Sequence, residues 1–470
     1  MSDSNLQALF DAQQAAYLND PFPSAKVRID RIDRLIDLLV TNEKALANAT
    51  VEDFGQRSVD VSRLQEILPS ITALKYAKKH VKKWMRQEAR KSDFPFNLVM
   101  GKSSIQHIPL GVIGNVSPWN YPVFLSMGPM SGIFAAGNRA MIKPSELTPH
   151  ASELMQSLVT KQFDPTEFTI VTGGVEVASE FCGLPFDHLL FTGSTSVGSI
   201  VMQNAAKNLT PMTLELGGKS PVIVADDANI KDLAVKLAFA KTMNFGQVCL
   251  SPDYVLVSEH LKQPLIDEIK KAILQLFPEQ HNSPDITYMI AERHCTRLKN
   301  MVKEAEANGN NIIRLFDKPY TIKDPRYMEP TIIEVTGDPG SVMDEEIFGP
   351  LLPIISIEGL QKKLAFVASK NKPLTIYYFG KDKGDMLQVS QQVAAGNMVI
   401  NDFYLNLAQQ DLPFGGVGKS GMGQYQGHHG FKNFSHAKAI FKASKIDMTK
   451  MVRPPYDEKF EKIVSMQIKK

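Results

Sequence analysis

The amino-acid sequence predicts an α/β protein organised around parallel sheets, and three observations carry that expectation. Beginning at Ile105, short β-like apolar runs alternate with longer runs of helical periodicity. A second alternating block extends from "PVIVAD" at Pro221 to about residue 400. Ahead of both, roughly the first ninety residues are mostly helical in their apolar spacing. Strands separated by helical segments of about 10–15 residues are the signature of βαβ units, whose crossover helices cover the faces of a parallel sheet.

The elements follow in order. Ser24 stands just before a run in which Ile32, Leu35, Ile36 and Leu39 recur at i, i+3, i+4 and i+7, which is one face of a helix with a hydroxyl at its start. A second helical region spans about Val59 to Arg90. "GVIGNV", "RAMIKP", "FTIVTG" and "DHLLFTG" then read as strands, and "MSGIFAAGN", "ASELMQSLVTKQF" and "SVGSIVMQNAAKN" as helices. There is no internal repeat and no low-complexity linker, so the domains are expected to pack closely.

Composition narrows the function. A chain of 470 residues with 43% apolar content implies two or three globular domains with a full-sized core. The net charge of +2, from 52 basic and 50 acidic residues, gives no strong attraction to nucleic acid or acidic membranes. Cys182, Cys249 and Cys295 are too few, and odd in number, for a disulfide framework, which points to a reducing compartment. With no CxxC pair and no histidine cluster, no metal is expected. The N-terminus has no basic region followed by an apolar run, so a cytoplasmic location is expected. The apolar stretch 121–142 is broken by two prolines and three glycines, unlike a spanning helix. In the tail from Asp457, Phe460, Ile463 and Val464 form an apolar stripe among lysines, which reads either as a contact with a membrane or partner or as a solvated terminal helix.

Ligands of doubly wound sheets sit at the carboxyl ends of the strands, where several polar residues of this chain fall. "GSTSVG", residues 193–198, leads into a helix expected from near Val197; Gly193 allows a phosphate to approach the helix start, or the segment is an ordinary strand-to-helix turn. It matches neither GxGxxG nor a P-loop. Lys143 and Glu146 in "MIKPSE" suit ribose hydroxyls or a solvated ion pair. Asn120 in "NVSPWNYP" is either an oxyanion donor on a proline-stiffened loop or a turn residue. Glu215 in "LELGGKSPVIV" is either a general base with a raised pKa or a strand-edge glutamate facing water. Cys249 in "NFGQVCLSPDYV", with Gly246 three residues ahead, is either a small core hydrophobe or a nucleophile.

Taken together, "SPWNYP", "IKPSE", "FTGSTSVG", "LELGGKSP", "GQVC", "EEIFGP" at 345–350 and "PFGGVGKSGMG" at 413–423 resemble, in order and separation, the NAD(P)-dependent aldehyde dehydrogenase superfamily over nearly the whole chain. "CLSPDYVLV", "VINDF", "GMGQYQGHHGFKNFSH" and the short N-terminal region are similar to the class 3 branch, and "RPPY" to its bacterial coniferyl-type members. The resemblance implies that Cys249 attacks the aldehyde to give a thiohemiacetal. Asn120 and the Cys249 N–H would bind the oxyanion, and Glu215 would activate water against the thioester, favouring hydrolysis over transfer to coenzyme A. A nearby base or a positive potential is expected to favour the thiolate.

For the cofactor, the resemblance implies that Pro118 and Trp119 line the passage and that Lys143 and Glu146 bind the adenosine ribose. Gly174 would lie near the adenine, Gly193 and Ser194 at the pyrophosphate, and Glu346 and Phe348 at the nicotinamide ribose and ring. Glu146 would repel a 2′-phosphate and so favour NAD, although class 3 relatives often use NADP as well. The implied architecture is a Rossmann-like cofactor domain (1–85 and 106–216), an α/β catalytic domain (217–420), a small β bridging arm for oligomerisation (86–105 and 424–445) and a tail (446–470). A homodimer acting on a small-molecule aldehyde follows, with no nucleic-acid partner. Val248 and Leu250 depart from the usual Thr and Ile or Val, which affects substrate size rather than reaction type. Tyr121, Phe403, Tyr404 and Phe414 read as a funnel for aromatic or medium-to-long aliphatic aldehydes, or as packing. Cys182 and Cys295 are expected to be structural. A thiol esterase without redox chemistry and a non-catalytic binding or structural relative are the competing readings.

Overall fold

The apolar spacing at the N-terminus forms the helices it implies. In the computed structural model, which describes residues 6–94, 96–97, 99–319 and 322–468, Ser24 Oγ accepts the Val27 N–H at the start of helix Ala25–Thr41. Ile32, Leu35, Ile36 and Leu39 form its buried face. The second helical region is interrupted by a π-helical turn at Arg63–Ile67 and ends at Trp84, short of the expected Arg90.

Sixteen strands, β1 to β16 in chain order, are found among the described residues and form three sheets. The smallest joins β1 (Glu88–Arg90), β2 (Lys102–Pro109) and β16 (Ser435–Lys442), all antiparallel. β1 corrects the expected helix for a tertiary reason: its backbone pairs with Ser103–Ile105, and the Glu88 carboxylate meets His107 Nε2 at 3.1 Å.

The six-stranded sheet contains β3 (Val112–Val116), β4 (Arg139–Lys143), β5 (Phe168–Ile170), β6 (His188–Gly193), β7 (Met212–Leu216) and β15 (Gly421–Met422), in the order β15-β7-β6-β3-β4-β5. Every pairing is parallel except β15 with β7. Period-2 alternation sends Ile113, Ala140, Ile142 and Leu190 to one core and Val112, Met141, Leu189 and Phe191 to another. Both faces are therefore covered, as a parallel sheet requires. From β3 the chain first adds β4 and β5 on one side and then β6 and β7 on the other. This reversal opens a crevice at the carboxyl ends of β3 and β6.

A seven-stranded sheet holds β8 (Ser220–Val224), β9 (Pro252–Val257), β10 (Asn311–Arg314), β11 (Thr331–Val335), β12 (Leu351–Ser356), β13 (Thr375–Phe379) and β14 (Asn397–Ile400), in the order β10-β11-β12-β9-β8-β13-β14. Only β10 runs antiparallel to its neighbour. The apolar stretch 121–142 folds as two short buried helices, Pro122–Met127 and Met130–Ala136, followed by β4. Among the described residues no helix is long and apolar enough to cross a membrane. Cys182 and Cys295 are buried and free, and the Cys295 thiol donates to Tyr327 O at 3.1 Å. The terminal helix Glu458–Ile468 buries none of its residues.

Candidate active site

The crevice at the topological reversal opens into a cavity of about 1040 Å³. Pro118, Trp119 and Asn120 reach it from the loop after β3, Lys143 and Glu146 from the end of β4, and Gly193 and Ser194 from the end of β6. Glu215 on β7, Cys249 ahead of β9, and Glu346 and Phe348 ahead of β12 complete the wall. Gly174 does not line the cavity; it precedes helix Val175–Cys182, whose Val175, Ala178, Ser179 and Cys182 do.

The glycine ahead of the thiol has a conformational reason. Asn244, Phe245 and Gly246 all have positive φ, at 45°, 48° and 78°, a region costly for side chains with a Cβ. A Cβ on Gly246 would strike the Gly349 carbonyl. Hydrogen bonds hold this turn: Asn244 Nδ2 donates to Asn120 O and to Gln247 O, both at 3.2 Å. Gln247 Nε2 donates to Asn244 O and Tyr288 O, and its Oε1 accepts the Ile290 N–H. Asn120 Nδ2 donates to Gln247 O at 3.1 Å, which brings its carboxamide to the segment ending in Cys249.

Burial pushes the Cys249 thiol up to about 12, and the Glu346 and Glu215 carboxylates push it the same way. The N–H groups of Cys249 and Leu250 oppose them. Glu215, on the same cavity, is buried, 3% exposed, with neither carboxylate oxygen hydrogen-bonded. Burial raises its pKa well above the ordinary value. It does not face water from a strand edge, because β15 covers β7 with Gly421 paired to Glu215.

Glu346 is a second buried carboxyl, pushed up to about 8 by burial first and by Asp253 next. Its Oε1 has no partner, and its other oxygen occupies the space a Cβ on Gly217 would take. The surrounding loop is pinned from three sides. Lys219 pairs with Asp253 and donates to Val342 O and Glu345 O, both at 2.8 Å. Asp253 Oδ1 accepts the Ile347 N–H at 2.9 Å, and Arg297 donates to Glu346 O and Ile347 O. Sequence reasoning missed Lys219, Asp253 and Arg297 as a set. Two of them lay inside quoted motifs, but nothing in one sequence links positions so far apart.

Along the rest of the cavity, the Trp119 ring meets Phe348 edge-on with centroids 5.2 Å apart and His294 at 5.2 Å. Helix Thr195–Ala206 begins two residues earlier than expected because Ser194 Oγ accepts the Val197 N–H and caps it. Lys143 is buried, donates to Pro144 O at 2.6 Å, and has its pKa lowered by burial, while Glu146 is exposed. Tyr121, Phe403, Tyr404 and Phe414 do not line this cavity: Phe403 and Phe414 are core residues, and the phenols of Tyr121 and Tyr404 donate to Gln65 Oε1 and Ala240 O. Tyr121, Tyr377, Tyr404 and Tyr425 nonetheless lie within electrostatic reach of Cys249. Tyr377 and Tyr425 were not legible as site residues.

The residues present fit a dinucleotide. A helix N-terminus, a ring-lined wall and the orphaned Glu346 Oε1 share one cavity beside a thiol. Residues 5–440 match the profile of the aldehyde dehydrogenase family. The chain belongs to that family. It is 44% identical over 461 residues to a probable coniferyl aldehyde dehydrogenase of Pseudomonas aeruginosa, covering 98% of this chain and 96% of the relative. It is 41% identical over 464 residues to a coniferyl aldehyde dehydrogenase of Pseudomonas sp. strain HR199, covering 98% and 96%. Among solved structures, the substrate-bound state of Staphylococcus aureus AldH is similar with a TM-score of 0.92 at 34% identity, covering 99% of this chain and 100% of that one. As an aldehyde dehydrogenase, the chain oxidises an aldehyde to the carboxylic acid with NAD(P).

Proposed function

We propose that Cys249, Asn120 and Glu215 divide the chemistry of this aldehyde dehydrogenase as nucleophile, oxyanion donor and general base. The observation that carries the reading is the unpartnered Glu215 carboxyl on the same cavity as the Cys249 thiol. Burial makes the ionised Glu215 carboxylate a stronger base than an exposed one, which is what the buried Cys249 thiol, itself harder to deprotonate, requires. Glu215 takes the Cys249 proton, and the sulfur attacks the aldehyde carbon while the carbonyl π pair moves to oxygen. Asn120 Nδ2–H and the Cys249 N–H stabilise that oxyanion. Lys143 and Glu146 at the adenosine ribose, Gly193 and Ser194 at the pyrophosphate, Glu346 and Phe348 at the nicotinamide ribose and ring, and Pro118 and Trp119 along the passage hold the dinucleotide, which supplies hydride acceptance. With the hydride gone, Cys249 carries a thioester. Once Glu215 has released the Cys249 proton to bulk water it removes a proton from the attacking water, hydroxide adds to the thioester carbon, and the Cys249 thiolate leaves.

The substrate class in this reading is an aromatic, coniferyl-type aldehyde or a medium-to-long aliphatic one, supported by relatives named for coniferyl aldehyde at 41–44% identity. A kinetic panel of cinnamaldehyde-type, benzaldehyde-type and straight-chain aldehydes with each dinucleotide tests it. The expected result is the highest kcat/KM with a cinnamaldehyde-type substrate and NAD, because the exposed Glu146 carboxylate repels a 2′-phosphate. Hydrolysis of an ester without any NADH formation from an aldehyde would instead support the thiol esterase reading.

The assembly in this reading is a homodimer. β16 is an edge strand of eight residues with Phe441 exposed on it, and a long exposed edge of this kind is a template for pairing with a second chain. Phe441→Lys is expected to shift the sedimentation coefficient from dimer toward monomer; a wild-type monomer at micromolar concentration contradicts the assignment. Apart from β2, which continues to Pro109, and β15, which joins the six-stranded sheet, the three sheets support the division into residues 1–85 with 106–216, 217–420, 86–105 with 424–445, and a tail. The three free thiols support a reducing, cytoplasmic location.

A further inference from the structure

Arg57 and Glu66 form an ion pair of 3.0 Å with both side chains fully buried. Burying two charges gains little stability over apolar residues of similar volume, because desolvation offsets their attraction. What the pair holds is therefore more informative than how strongly it binds. Glu66 lies in the π-helical turn Arg63–Ile67, and such turns are frequent at functional sites. Its Oε2 accepts the N–H groups of Val123 at 2.7 Å and Phe124 at 3.4 Å, in the first turn of helix Pro122–Met127. The Arg57 guanidinium sits 4.7 Å from the Phe54 ring and 5.4 Å from the Tyr121 ring, and its Nη1 donates to Asn120 O at 3.4 Å. The two charges thus grip the main chain at Asn120 and again at residues 123–124. From the catalytic-sheet side, Asn244 and Gln247 grip the same asparagine by its carbonyl and its carboxamide.

We propose that Arg57 and Glu66 are positioning residues for the oxyanion amide: together they fix the backbone around Asn120, so that its carboxamide is presented to the Cys249 adduct. This rests on the roles given above to Asn120 and Cys249. Removing the pair displaces a catalytic donor without touching the thiol or the dinucleotide cavity, and a displacement of about 1 Å costs on the order of 100-fold in rate.

The test is a cycle of variants read by the rate of the NADH burst. Arg57→Met/Glu66→Leu replaces both charges by apolar groups of similar size, and Glu66→Gln removes the charge with almost no change in volume. For a folded variant with a wild-type melting temperature, the double change is expected to slow the burst by about 100-fold. NADH affinity and the rate of Cys249 alkylation by iodoacetamide, which forms no oxyanion, stay within about 2-fold of wild type, and Arg57→Lys restores part of the burst rate. Asn120→Ala, which costs about 100- to 1,000-fold in the wild type, costs only a few-fold more in the double variant. Glu66→Gln gives the same pattern with a smaller loss, so the question is answered even where the apolar pair does not fold. A folded variant with a wild-type burst overturns the proposal, as does one in which Asn120→Ala still costs its full factor. If Asn120→Ala leaves the burst of the wild type unchanged, the role of Asn120 itself fails, and that outcome is distinct from the other two.

Discussion

Cys249→Ser is expected to abolish aldehyde oxidation while leaving dinucleotide binding intact. Serine preserves the shape of the side chain, and the turn that presents it is held by Asn244 and Gln247 rather than by the sulfur. What is lost is the proposed nucleophile. An alkoxide is far harder to form than a thiolate, and the Glu346 and Glu215 carboxylates that act on position 249 oppose its formation. Removing a covalent nucleophile lowers kcat by on the order of 10⁶-fold where the remaining machinery is intact, so NADH formation should fall below detection. NADH fluorescence titration should give an unchanged Kd, because the residues proposed to hold the dinucleotide lie elsewhere on the cavity wall. Residual turnover within about tenfold of wild type would remove Cys249 from its role.

The same thiol shows where sequence reasoning stopped. The sequence places Asn120 and Glu215 at strand ends and Cys249 in an apolar stretch after a glycine, and the fold brings all three to one cavity. The central strands were legible because burial on both faces leaves them as short, nearly continuous apolar runs, such as Val112–Val116 and Ser220–Val224. Short polar elements were not. Nothing in "EAR" marks Glu88–Arg90 as a strand, since that state is imposed by β2 and His107. Helix Thr195–Ala206 starts two residues earlier than its apolar pattern because a serine side chain, not periodicity, sets its first turn. Lys219, inside the "LELGGKSP" motif, was given no role from sequence, and its ammonium turns to Asp253 and to two carbonyls of the Glu346 loop, a pairing across distant segments. The pair Arg57–Glu66 and the tyrosines around Cys249 belong to the same class, for each acts across a separation that one sequence does not encode.

Glu215→Gln is expected to separate the two halves of the reaction and to make the protein more stable at the same time. Glutamine keeps the volume and the β7–β15 pairing but does not accept a proton. The thioester then forms and waits, so a stoichiometric NADH burst is followed by a steady state slower by about 100- to 10,000-fold, the usual contribution of a positioned general base. In the wild type, steady-state turnover falls as pH drops below the raised Glu215 pKa, because deacylation needs the unprotonated carboxylate; the variant lacks that limb. Stability runs the other way. An unfolded glutamate titrates near about 4.3, and burial raises the folded value well above it, so the folded state holds the proton more tightly. The stability associated with that proton is fully present below about 4.3 and is lost as pH rises through the folded pKa. Glutamine, neutral at every pH, escapes this loss, and the melting temperature of the variant should exceed that of the wild type by a margin that widens with pH across the same window. An unchanged steady-state rate would remove Glu215 from deacylation. A melting-temperature difference that does not vary with pH would show that its carboxyl is not the isolated buried acid described here, and would leave the proton transfer from Cys249 without its driving group.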